Sequence, residues 1–400
     1  MISVNEALER ILIKIAPVPS ETVSLTEGAG RVLVSDLVAR RTQPPFDVSA
    51  MDGYAVRAKD VTEASAILEL VGESPAGSSY QGEVCAGKAV RIFTGAPVPS
   101  GADSIVIQEN VTPLDDQRVQ MMAPAELGRH IRRRGIDFLE GEIGLRGGQL
   151  LSARDVGLAA AMDVPWLEVT RKPRIAILAT GDELTLPGDP TSQDQIVSSC
   201  PYALGSYINQ WGGEAVHLGI ARDNEQSLKR AAEGAHGMDL FVTIGGASVG
   251  DHDLVRDVLA EVGMNLEFWR VAMRPGKPMM FGEINGMPLL GLPGNPVSCI
   301  VCAVLFLKPT VGALLGRNRS ELAPTFETAR LGKKLSPNAN RQDYIRATLE
   351  HHEEDQFIAT PFDLQDSSVM SVLSAADCLI VRAPLAPEAS AGDSVQILRL

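Results

Sequence analysis

The chain has 400 residues, of which 45% are hydrophobic but only 4% aromatic, with 37 glycines, 25 prolines and a formal net charge of −14 at pH 7. This length and composition predict two to four domains with aliphatic cores and many tight connections. The acidic balance argues against a protein that coats nucleic acid or an anionic membrane, because its mean field repels phosphate, so an anionic ligand would need a local basic cluster.

The N-terminal residues predict an amphipathic helix. Ser3 and Glu6 have the spacing of a capping box, and apolar residues follow at helical spacing from Ala7 to Ile15. The segment lacks the apolar core of a signal peptide, and the longest apolar run, 299–307, is too short to cross a bilayer. Five scattered cysteines do not resemble a secreted disulfide framework. We therefore predict a soluble, cytoplasmic protein that acts without nucleic acid or a membrane.

Residues 25–169 predict a β-rich region with tight loops. Short apolar runs such as AVRIF and SIVIQ are divided by Gly and Pro clusters such as TGAPVPSGAD, and one helix is predicted after Ser152. In PPFDVSAMDGYAV, residues 44–56, Asp47 and Asp52 stand among small and apolar residues with no helical or strand period. An arginine cluster in GRHIRRRGID is either a solvated or interface surface or a substrate contact. Its members are Arg129, Arg132, Arg133 and Arg134.

From Arg174 onward the sequence alternates between predicted strands and helices. Strands are predicted at Arg174–Thr180 and Glu214–Ile220, in DLFVTIGG and in MPLLGL. Helices are predicted near 202–210, in EQSLKRAAEGA, over 254–261 and, as a long apolar helix, over 297–315. Four such units imply a parallel sheet covered on both faces, with right-handed crossovers and a ligand site at the carboxyl ends of the strands.

Acidic residues follow the carboxyl ends of these predicted strands: Glu183, Asp223, Asp251 and Asp253. One crevice would then gather several carboxylates, which suits Mg²⁺ shared with substrate phosphates, or the donors of a nitrogen-rich ring. The alternative is that these acids cap the helices that follow.

Two glycine-containing loops face the same predicted crevice. GGASVGDHD has neither the GxGxxG spacing nor a GxxxxGK[ST] fingerprint, so its glycines and Ser248 either approach an oxyanion or form a plain turn. In LPGNPVS, Asn295 is predicted as N-cap and Pro296 as the first helical residue, which places Ser298 in the first turn.

A basic segment, RVAMRPGKP, lies between two of the predicted strands. Its cations, Arg270, Arg274 and Lys277, are more consistent with a bound anion than with a solvated face in so acidic a chain. Cys299 and Cys302 form a CxxC inside the apolar helix without a second Cys or His pair, which favours buried core over a zinc or redox site. The pattern indicates charge stabilisation rather than covalent catalysis.

After Gly316 the sequence returns to short strands. RQDYIRATL, QFIATPF, DCLIVRA and SVQILRL occur within the last part of the chain, a size suited to a small β-barrel or sandwich.

The motifs SAMDGYAV, FTGAPVPSGAD, LATGDEL, GGASVGDHD, RPGKP and LPGNPVS occur in this order along almost the whole chain. Together they resemble the motifs of the molybdopterin molybdenumtransferases, the MoeA family, to which the E domain of gephyrin is related. The resemblance implies an elongated homodimer with an α/β multidomain fold: a central MoaB/Mog-like doubly wound α/β domain, β-rich N-terminal domains and a C-terminal β-barrel. The implied domains are residues 1–20 with 170–320, residues 21–40 with 142–169, residues 41–141 and residues 321–400.

The resemblance also implies an enzyme of molybdenum cofactor biosynthesis. Members insert molybdate into the dithiolene of adenylylated molybdopterin and release AMP as the pyrophosphate bond is cleaved with Mg²⁺. The site is implied to lie between the α/β domain of one subunit and the β-rich second domain of the other, and a separate molybdopterin adenylyltransferase is a further partner to consider.

Site residues follow from the resemblance, position by position. Asp52, Thr94 and Asp137 would form one wall of the site. Glu183, Asp223 and Asp253 would form the other and hold Mg²⁺. Arg274, Lys277, Arg341, Ser248, Ser298 and a serine of DSSVMS would hold molybdate, a small dianion that needs cations and hydroxyl donors. The implied ligand-binding set is Gly245, Gly246, Ser248, Arg270, Arg274, Lys277, Pro293, Gly294, Asn295, Pro296, Ser298, Arg341, Ser367 and Ser371.

The chain departs from the family pattern at two places. Arg274 stands where the family usually has Lys, which keeps the charge and adds a planar fork of donors. Gln365-Asp366-Ser367-Ser368 replaces a GSGxLxS-like motif, so that Asp366 either approaches the molybdate pocket or points to solvent. Two other functions share this fold: adenylylation of molybdopterin from ATP, and a non-catalytic scaffold. The β domains at both ends argue against the first and the set of loop acids against the second.

Overall fold

The computed structural model describes residues 1–246, 254–352 and 356–400. Helix α1 (Val4–Lys14) begins after Ser3, whose Oγ accepts the Glu6 N–H at 3.1 Å, so the predicted N-cap is confirmed. The apolar face of α1 packs into the core of the later α/β region. Two strands follow, β1 (Ser20–Ser24) and β2 (Leu37–Val38), and both pair with strands much later in the chain.

A β-rich region comes next. Its strands are β3 (Val48–Ser49), β4 (Gly53–Val56), β5 (Ile67–Ser74), β6 (Lys88–Ile92), β7 (Ser104–Ile107), β8 (Val111–Pro113), β9 (Arg118–Met121) and β10 (Ile131–Arg132). Six of them form one sheet in the order β7-β4-β6-β5-β9-β8, and β3 pairs with β10. Along β4, Tyr54 and Val56 enter one apolar cluster while Ala55 enters another, because successive side chains point to opposite faces. Apolar clusters therefore cover both faces of the sheet along β4.

The chain then returns to β1 and β2. Strand β11 (Ile143–Leu145) pairs with β2, helix α2 (Ala153–Ala161) follows, and β12 (Trp166–Thr170) pairs with β1. A full capping box starts α2: Ser152 Oγ accepts the Asp155 N–H at 3.3 Å, and Asp155 accepts the Ser152 N–H at 2.7 Å. The predicted helix is thus confirmed. Short 3₁₀ turns occur at Leu25–Glu27, Ala58–Asp60, Gln108–Asn110 and Arg319–Glu321.

The α/β region contains the predicted parallel strands. Its elements are β13 (Arg174–Thr180), β14 (Leu184–Thr185), β15 (Ile196–Val197), α3 (Cys200–Gln210), β16 (Glu214–Ala221), α4 (Glu225–Gly234), β17 (Leu240–Ile244), α5 (Leu254–Glu261), β18 (Met264–Trp269), β19 (Met273–Arg274), β20 (Met280–Ile284) and β21 (Met287–Leu292). The sheet order is β16-β13-β17-β21-β20-β18. Ile175 and Ile177 face one apolar cluster, and Ala176 and Leu178 face another, so the predicted cover on both faces is confirmed.

Two strands of this sheet were not predicted. Strands β20 and β18 are antiparallel to their neighbours and extend the sheet beyond β21. The turn between β20 and β21 contains Asn285 and Gly286, both with positive φ, at 50° and 82°. Asn-Gly between apolar runs is a strong hairpin signal, and it identifies the extension in the sequence.

The long apolar helix has an irregular middle. Helix α6 (Pro296–Cys302) continues through a π-helical turn, Ala303–Leu307, into α7 (Lys308–Leu314). The wider turn precedes Pro309, which cannot donate a helical hydrogen bond. Within the described residues this is the one helix long and apolar enough to span a membrane, but 94% of its span is buried in the protein. It is core, and its Cys299 and Cys302 are fully buried, as predicted.

The C-terminal strands close a barrel. They are β22 (Glu327–Leu331), β23 (Gln342–His352), β24 (Gln356–Pro361), β25 (Cys378–Arg382) and β26 (Ser394–Arg399), with helix α8 (Met370–Ser374) before β25. The order β23-β24-β22-β26-β25 returns from β25 to β23, which makes a barrel rather than a sandwich. Strand β19 adds to β23 in parallel and so joins the barrel to the α/β region. The exact domain boundaries stay a prediction.

Candidate functional site

A cleft of about 850 Å³ opens at the carboxyl ends of β13, β17 and β21. We call it the strand-end cleft. The starts of helices α3 and α6 form part of its lining. Most of the residues predicted for the crevice meet here: Glu183, Asp223, Gly245, Gly246, Pro293, Gly294, Asn295, Pro296 and Ser298. Ser248, Asp251 and Asp253 lie outside the described residues.

Carboxylates are concentrated on one side of the strand-end cleft. The pKa of Asp223 is raised by burial and then by the charges of Asp182 and Glu183. Asp182, which was not predicted, accepts the Asp223 N–H at 3.1 Å, and Arg222 donates to the carbonyl of Asp182 at 2.8 Å. These bonds tie the two acidic loops together. Asp182 lies in the Gly-Asp-Glu run after β13, which is the same sequence signal that identified Glu183.

The acidic side offers few ligands for a cation. Within the part of the chain that the structure describes, no three His, Cys, Asp or Glu side chains are grouped closely enough to hold a metal ion. Glu183 and Asp223 nevertheless present oxygen donors under mutual repulsion. Because Mg²⁺ commonly binds through one or two carboxylates together with water and substrate phosphates, this pair fits Mg²⁺.

The PGNP loop is bound to the barrel. Asn295 occupies the N-cap position and Pro296 starts α6, as predicted, but the Asn295 side chain does not cap the helix. Instead its Nδ2 donates to Ser367 Oγ at 2.9 Å, and the Val297 N–H donates to the Ser367 carbonyl at 3.0 Å. The predicted N-cap position is therefore confirmed, while a barrel segment supplies the acceptor for the Val297 N–H at the helix start.

A second cleft of about 720 Å³ lies between the RPGKP segment and the barrel, and we call it the basic cleft. The predicted residues Arg274, Lys277, Ser298, Arg341 and Ser367 all line it. Lysines and arginines outnumber the acids in its lining. The basic side chains are Arg274, Lys277, Lys333, Lys334, Arg341, Arg346 and Arg382, and the acidic ones are Asp343, Asp363 and Asp366. The cluster predicted to offset the acidic chain is therefore present, and the barrel supplies most of it.

Arg274 is held by a buried carboxylate. It forms an ion pair with Asp343, and the two residues are directly opposite each other where β19 joins β23. The Asp343 side chain is 4% exposed and that of Arg274 56%. Burial raises the pKa of Asp343, while the charges of Arg274, Arg341 and Arg382 act to lower it. The pair thus presents the guanidinium to the cleft with the acid beneath it.

Asp366 lines the basic cleft, but its carboxylate accepts hydrogen bonds from its own turn. Its Oδ1 accepts the Ser368 N–H at 2.8 Å and the Ser368 hydroxyl at 2.6 Å, and these bonds lower the pKa of Asp366. The Asp366 side chain is exposed, so it both borders the cleft predicted for molybdate and points to solvent. Behind it, Arg346 is 1% exposed and donates to Gln365 Oε1 at 3.3 Å.

The two clefts adjoin. Pro278 and Ser298 line both of them, and the neighbouring Ser367 and Ser368 line one each. A ligand that extends from the strand ends can therefore reach the basic side chains without crossing the domain.

Asp52 and Thr94 are paired in the β-rich region, outside both clefts of the described chain. The Thr94 N–H and hydroxyl both donate to Asp52 Oδ1 at 2.7 Å. These bonds, the backbone one first, lower the pKa of Asp52, and Arg91 adds a smaller charge effect. The carboxylate is thus ionised and oriented.

Asp47 has a structural role in the same loop. It accepts the Arg134 N–H at 2.8 Å and pairs with the Arg133 side chain at 2.6 Å, which fastens the arginine cluster to the loop. Arg129 pairs with Glu126 at 2.7 Å. Surface ion pairs therefore account for two of the four clustered arginines.

Three further predicted residues lie apart from the clefts as the described residues form them. Asp137 is exposed, and its N–H donates to the Gln43 carbonyl at 3.1 Å. Arg270 stacks over the Trp269 ring, with 3.8 Å from Cζ to the centroid. Ser371 is exposed in helix α8. Ser367 rather than Ser371 is thus the serine of DSSVMS that lines the basic cleft, and the roles of all these residues stay predictions.

Comparisons with known proteins cover the whole chain. Family models match for the "MoeA N-terminal region (domain I and II)" at residues 2–162, a "Probable molybdopterin binding domain" at 176–313 and the "MoeA C-terminal region (domain IV)" at 328–400. A molybdopterin molybdenumtransferase of Haemophilus influenzae is 33% identical over 399 residues, covering 99% of this chain and 98% of the relative. One of Bacillus subtilis is 32% identical over 405 residues, covering 99% and 94%. The crystal structure of a molybdopterin biosynthesis moeA protein from Pyrococcus horikoshii aligns over 100% of both chains with a TM-score of 0.86 and 27% identity.

Proposed function

The chain belongs to the MoeA family and is a molybdopterin molybdenumtransferase of molybdenum cofactor biosynthesis, and from this we propose how its two clefts divide the substrates. The strand-end cleft binds adenylylated molybdopterin, and the basic cleft binds molybdate. One observation carries the proposal: a cleft rich in Lys and Arg adjoins a carboxylate-lined cleft at Ser298, in a chain with a net charge of −14.

The basic cleft suits a small dianion. Arg274 offers a planar fork of donors and Lys277 a compact charge, and the Ser298 and Ser367 hydroxyls add neutral donors. Arg341 completes the group from the barrel side. None of these side chains has to act as a nucleophile, because insertion of molybdate into a dithiolene requires orientation and charge neutralisation.

Glu183 and Asp223 are the proposed Mg²⁺ ligands. Both supply oxygen donors, and burial together with the charges of Asp182 and Glu183 raises the pKa of Asp223. When bound, Mg²⁺ would withdraw charge from the pyrophosphate as AMP leaves. The protein's own contribution is to orient the two carboxylates through the Asp182 and Arg222 bonds that tie their loops together.

Asp52 and Thr94 suggest a site shared between two subunits. Thr94 orients the ionised carboxylate of Asp52 on the β-rich region, outside both clefts of the described chain. We propose that a homodimer brings this wall, with Asp137, against the clefts of the partner. A cytoplasmic location and a docking adenylyltransferase, with no nucleic-acid or membrane partner, belong to the same proposal.

The alternative of ATP-dependent adenylylation is less well supported. The relatives from Haemophilus influenzae and Bacillus subtilis match over the β-rich and barrel regions as well as the α/β region, and both are molybdenumtransferases. The basic cleft is formed largely by the barrel, and adenylylation by the α/β region alone would leave it without a ligand.

The test is AMP release from adenylylated molybdopterin and Mg²⁺, with and without molybdate. We expect molybdate-dependent release that falls when Arg274, Lys277 or Arg341 is replaced by Ala. Arg399→Ala is the matched control, because Arg399 pairs with Glu327 at 2.8 Å on the outside of the barrel. Equal release without molybdate, or pyrophosphate release from ATP, would contradict the proposed division of substrates.

A further inference from the structure

One side chain at the edge of the barrel uses every hydrogen-bonding position that it has. Gln365 Oε1 accepts the Arg346 N–H at 3.1 Å and the Arg346 Nε–H at 3.3 Å, while its Nε2 donates to the carbonyls of Arg346 and Phe362, both at 2.9 Å. A glutamine amide has two acceptor sites and two donor hydrogens, so these bonds occupy it completely. Although Gln365 is exposed, its amide is thus held in one orientation. We call these four bonds the Gln365 clamp.

The Gln365 clamp is attached to a buried part of the barrel. Arg346 is 1% exposed and precedes Ala347, which lies opposite Pro361, the last residue of β24. Beyond this strand end, the Arg346 main chain bonds to the Gln365 amide and, at 3.1 Å, to the Phe362 N–H. Because a buried main-chain group without a partner is costly, the Gln365 amide takes the place of a strand partner here. The segment after β24 is thereby fixed to the barrel.

Further along the same segment, Ser367 is held by the α/β region. Its hydroxyl oxygen accepts the Asn295 Nδ2 at 2.9 Å, and its carbonyl accepts the Val297 N–H at 3.0 Å. Asn295 lines the strand-end cleft and Ser367 lines the basic cleft, so the bond between their side chains joins the two clefts. Because the Ser367 oxygen accepts from Asn295, its single hydrogen is left to donate to an anion in the basic cleft.

We propose that Gln365 is a positioning residue of the molybdenumtransferase reaction. It fixes Ser367 so that the Ser367 hydroxyl donates to molybdate while the same residue bonds to the start of α6. Gln365 also lines the basic cleft, but because its amide is fully occupied it acts through Ser367 and not by contact with the anion. The inference rests on the proposed binding of molybdate in the basic cleft.

The clamp and the hydroxyl are close enough along the chain for this effect. Only Asp366 separates Gln365 from Ser367, and its carboxylate is bonded to Ser368 at 2.8 and 2.6 Å. Without the clamp, the Ser367 turn keeps its bonds to α6 but loses its attachment to the barrel. A hydrogen bond to an anion depends steeply on the direction of the donor, so a loosened turn binds molybdate less tightly even with the hydroxyl present.

The test is a double-mutant cycle on the full chain, measured as the molybdate concentration for half-maximal AMP release. We expect Ser367→Ala to raise this concentration about tenfold and Gln365→Ala about fivefold. The double variant should stay within about twofold of Ser367→Ala, because Gln365 then has no hydroxyl left to position. The maximal rate of Gln365→Ala at saturating molybdate should stay within about twofold of the parent rate, since the clamp acts on binding.

Gln356→Ala is the matched control for these variants. Gln356 begins β24, at the opposite end of the strand, and its Oε1 accepts one bond from Arg330 at 3.4 Å. Its molybdate requirement should equal that of the parent. Gln365→Met keeps the length of the side chain and removes all four bonds, so it should repeat the effect of Gln365→Ala and replaces that variant if the alanine protein folds poorly.

Three results would overturn the positioning role. The first is an unchanged molybdate requirement in Gln365→Ala beside a raised one in Ser367→Ala. The second is a double variant in which the two effects multiply, because Gln365 would then act independently of Ser367. The third is an equal shift in Gln356→Ala, which would reduce the effect to a general change in the barrel.

Hydrogen exchange of the ligand-free protein separates the clamp from the proposed function. The Val297 N–H is bonded to the Ser367 carbonyl, so Gln365→Ala should speed its exchange about tenfold, while Gln356→Ala should leave it unchanged. Unchanged exchange in Gln365→Ala would overturn the clamp itself. A parental molybdate requirement in Ser367→Ala would instead count against the proposed molybdate site, and the exchange result would still decide whether Gln365 holds Ser367.

Discussion

Thr94 donates both its backbone N–H and its hydroxyl to a single oxygen of Asp52, at 2.7 Å in each case. These two hydrogen bonds to one acceptor fix the carboxylate on the turn after β6. Close packing explains why the SAMDGYAV loop sets an acid among small residues. Gly53 begins a strand beside β7, where a Cβ would lie 2.1 Å from the Val106 carbonyl oxygen. The acid is placed by a tightly packed loop.

Asp52→Ala should reduce AMP release by about 100-fold or more, the size of effect expected when a preorganised charge is removed from a reacting centre. The melting temperature should change little, because within the described residues the Asp52 side chain hydrogen-bonds only to Thr94. Asp47→Ala is the matched control in the same loop, since its bonds hold Arg133 and Arg134. A similar loss of release in both variants would return Asp52 to a structural role.

Thr94→Val should raise the pKa of Asp52, because it removes the hydroxyl that helps to lower it while the backbone bond remains. A carboxyl whose pKa is lowered on folding stabilises the folded protein at pH values above its unfolded pKa of about 3.9. This contribution is lost as the pH falls through the folded pKa. The variant should therefore titrate at higher pH by carboxyl NMR, and the acid limb of AMP release should move with it. Thr94→Ser, which keeps the hydroxyl, should titrate like the parent.

Arg274→Ala should raise the molybdate concentration for half-maximal AMP release about tenfold or more, equivalent to ~1.4 kcal/mol of binding. Arg274→Lys should cost less, because it keeps the charge and loses the planar fork. Steady-state titration with molybdate measures both. An unchanged requirement in Arg274→Ala would place molybdate elsewhere than the basic cleft.

Asp223→Asn should raise the Mg²⁺ concentration needed for AMP release about tenfold, because it removes one of two oxygen anions proposed to bind the ion. Asp189→Asn, an exposed acid in the loop between β14 and β15, should leave the Mg²⁺ requirement unchanged. Release assays across a Mg²⁺ titration compare the two. Equal shifts in both variants would indicate a general charge effect.

Asp239→Ala should lower the free energy of unfolding by about 2–3 kcal/mol without changing release by the folded protein. The Asp239 side chain is 13% exposed, accepts two bonds from Arg171 at 2.6 and 2.7 Å, and accepts the Arg174 N–H at 2.7 Å. Glu327→Ala breaks an exposed pair and should cost less than about 1 kcal/mol. Denaturant unfolding of both variants checks the difference, and equal costs would contradict the burial argument.

Much of the fold follows from local patterns. The strands Arg174–Thr180 and Met287–Leu292 and the helix Leu254–Glu261 have the predicted bounds, because buried apolar runs and helical periods are properties of adjacent residues. Acids after strand ends predicted the strand-end cleft for the same reason: parallel strands all end at one edge. The sequence by itself therefore determined most of the element order, the family and one half of the site.

The tertiary structure decided which distant residues meet. Lys333, Arg346 and Arg382 enter the basic cleft because the barrel closes and β19 adds to β23. Ser367 contacts Asn295 and Val297 at the start of α6 for the same reason. Cys200 and Cys299 are distant in sequence yet belong to one buried cluster, because helices α3 and α6 pack against each other. Local periodicity encodes which face of an element is apolar, whereas contacts between elements depend on how the chain packs those faces together.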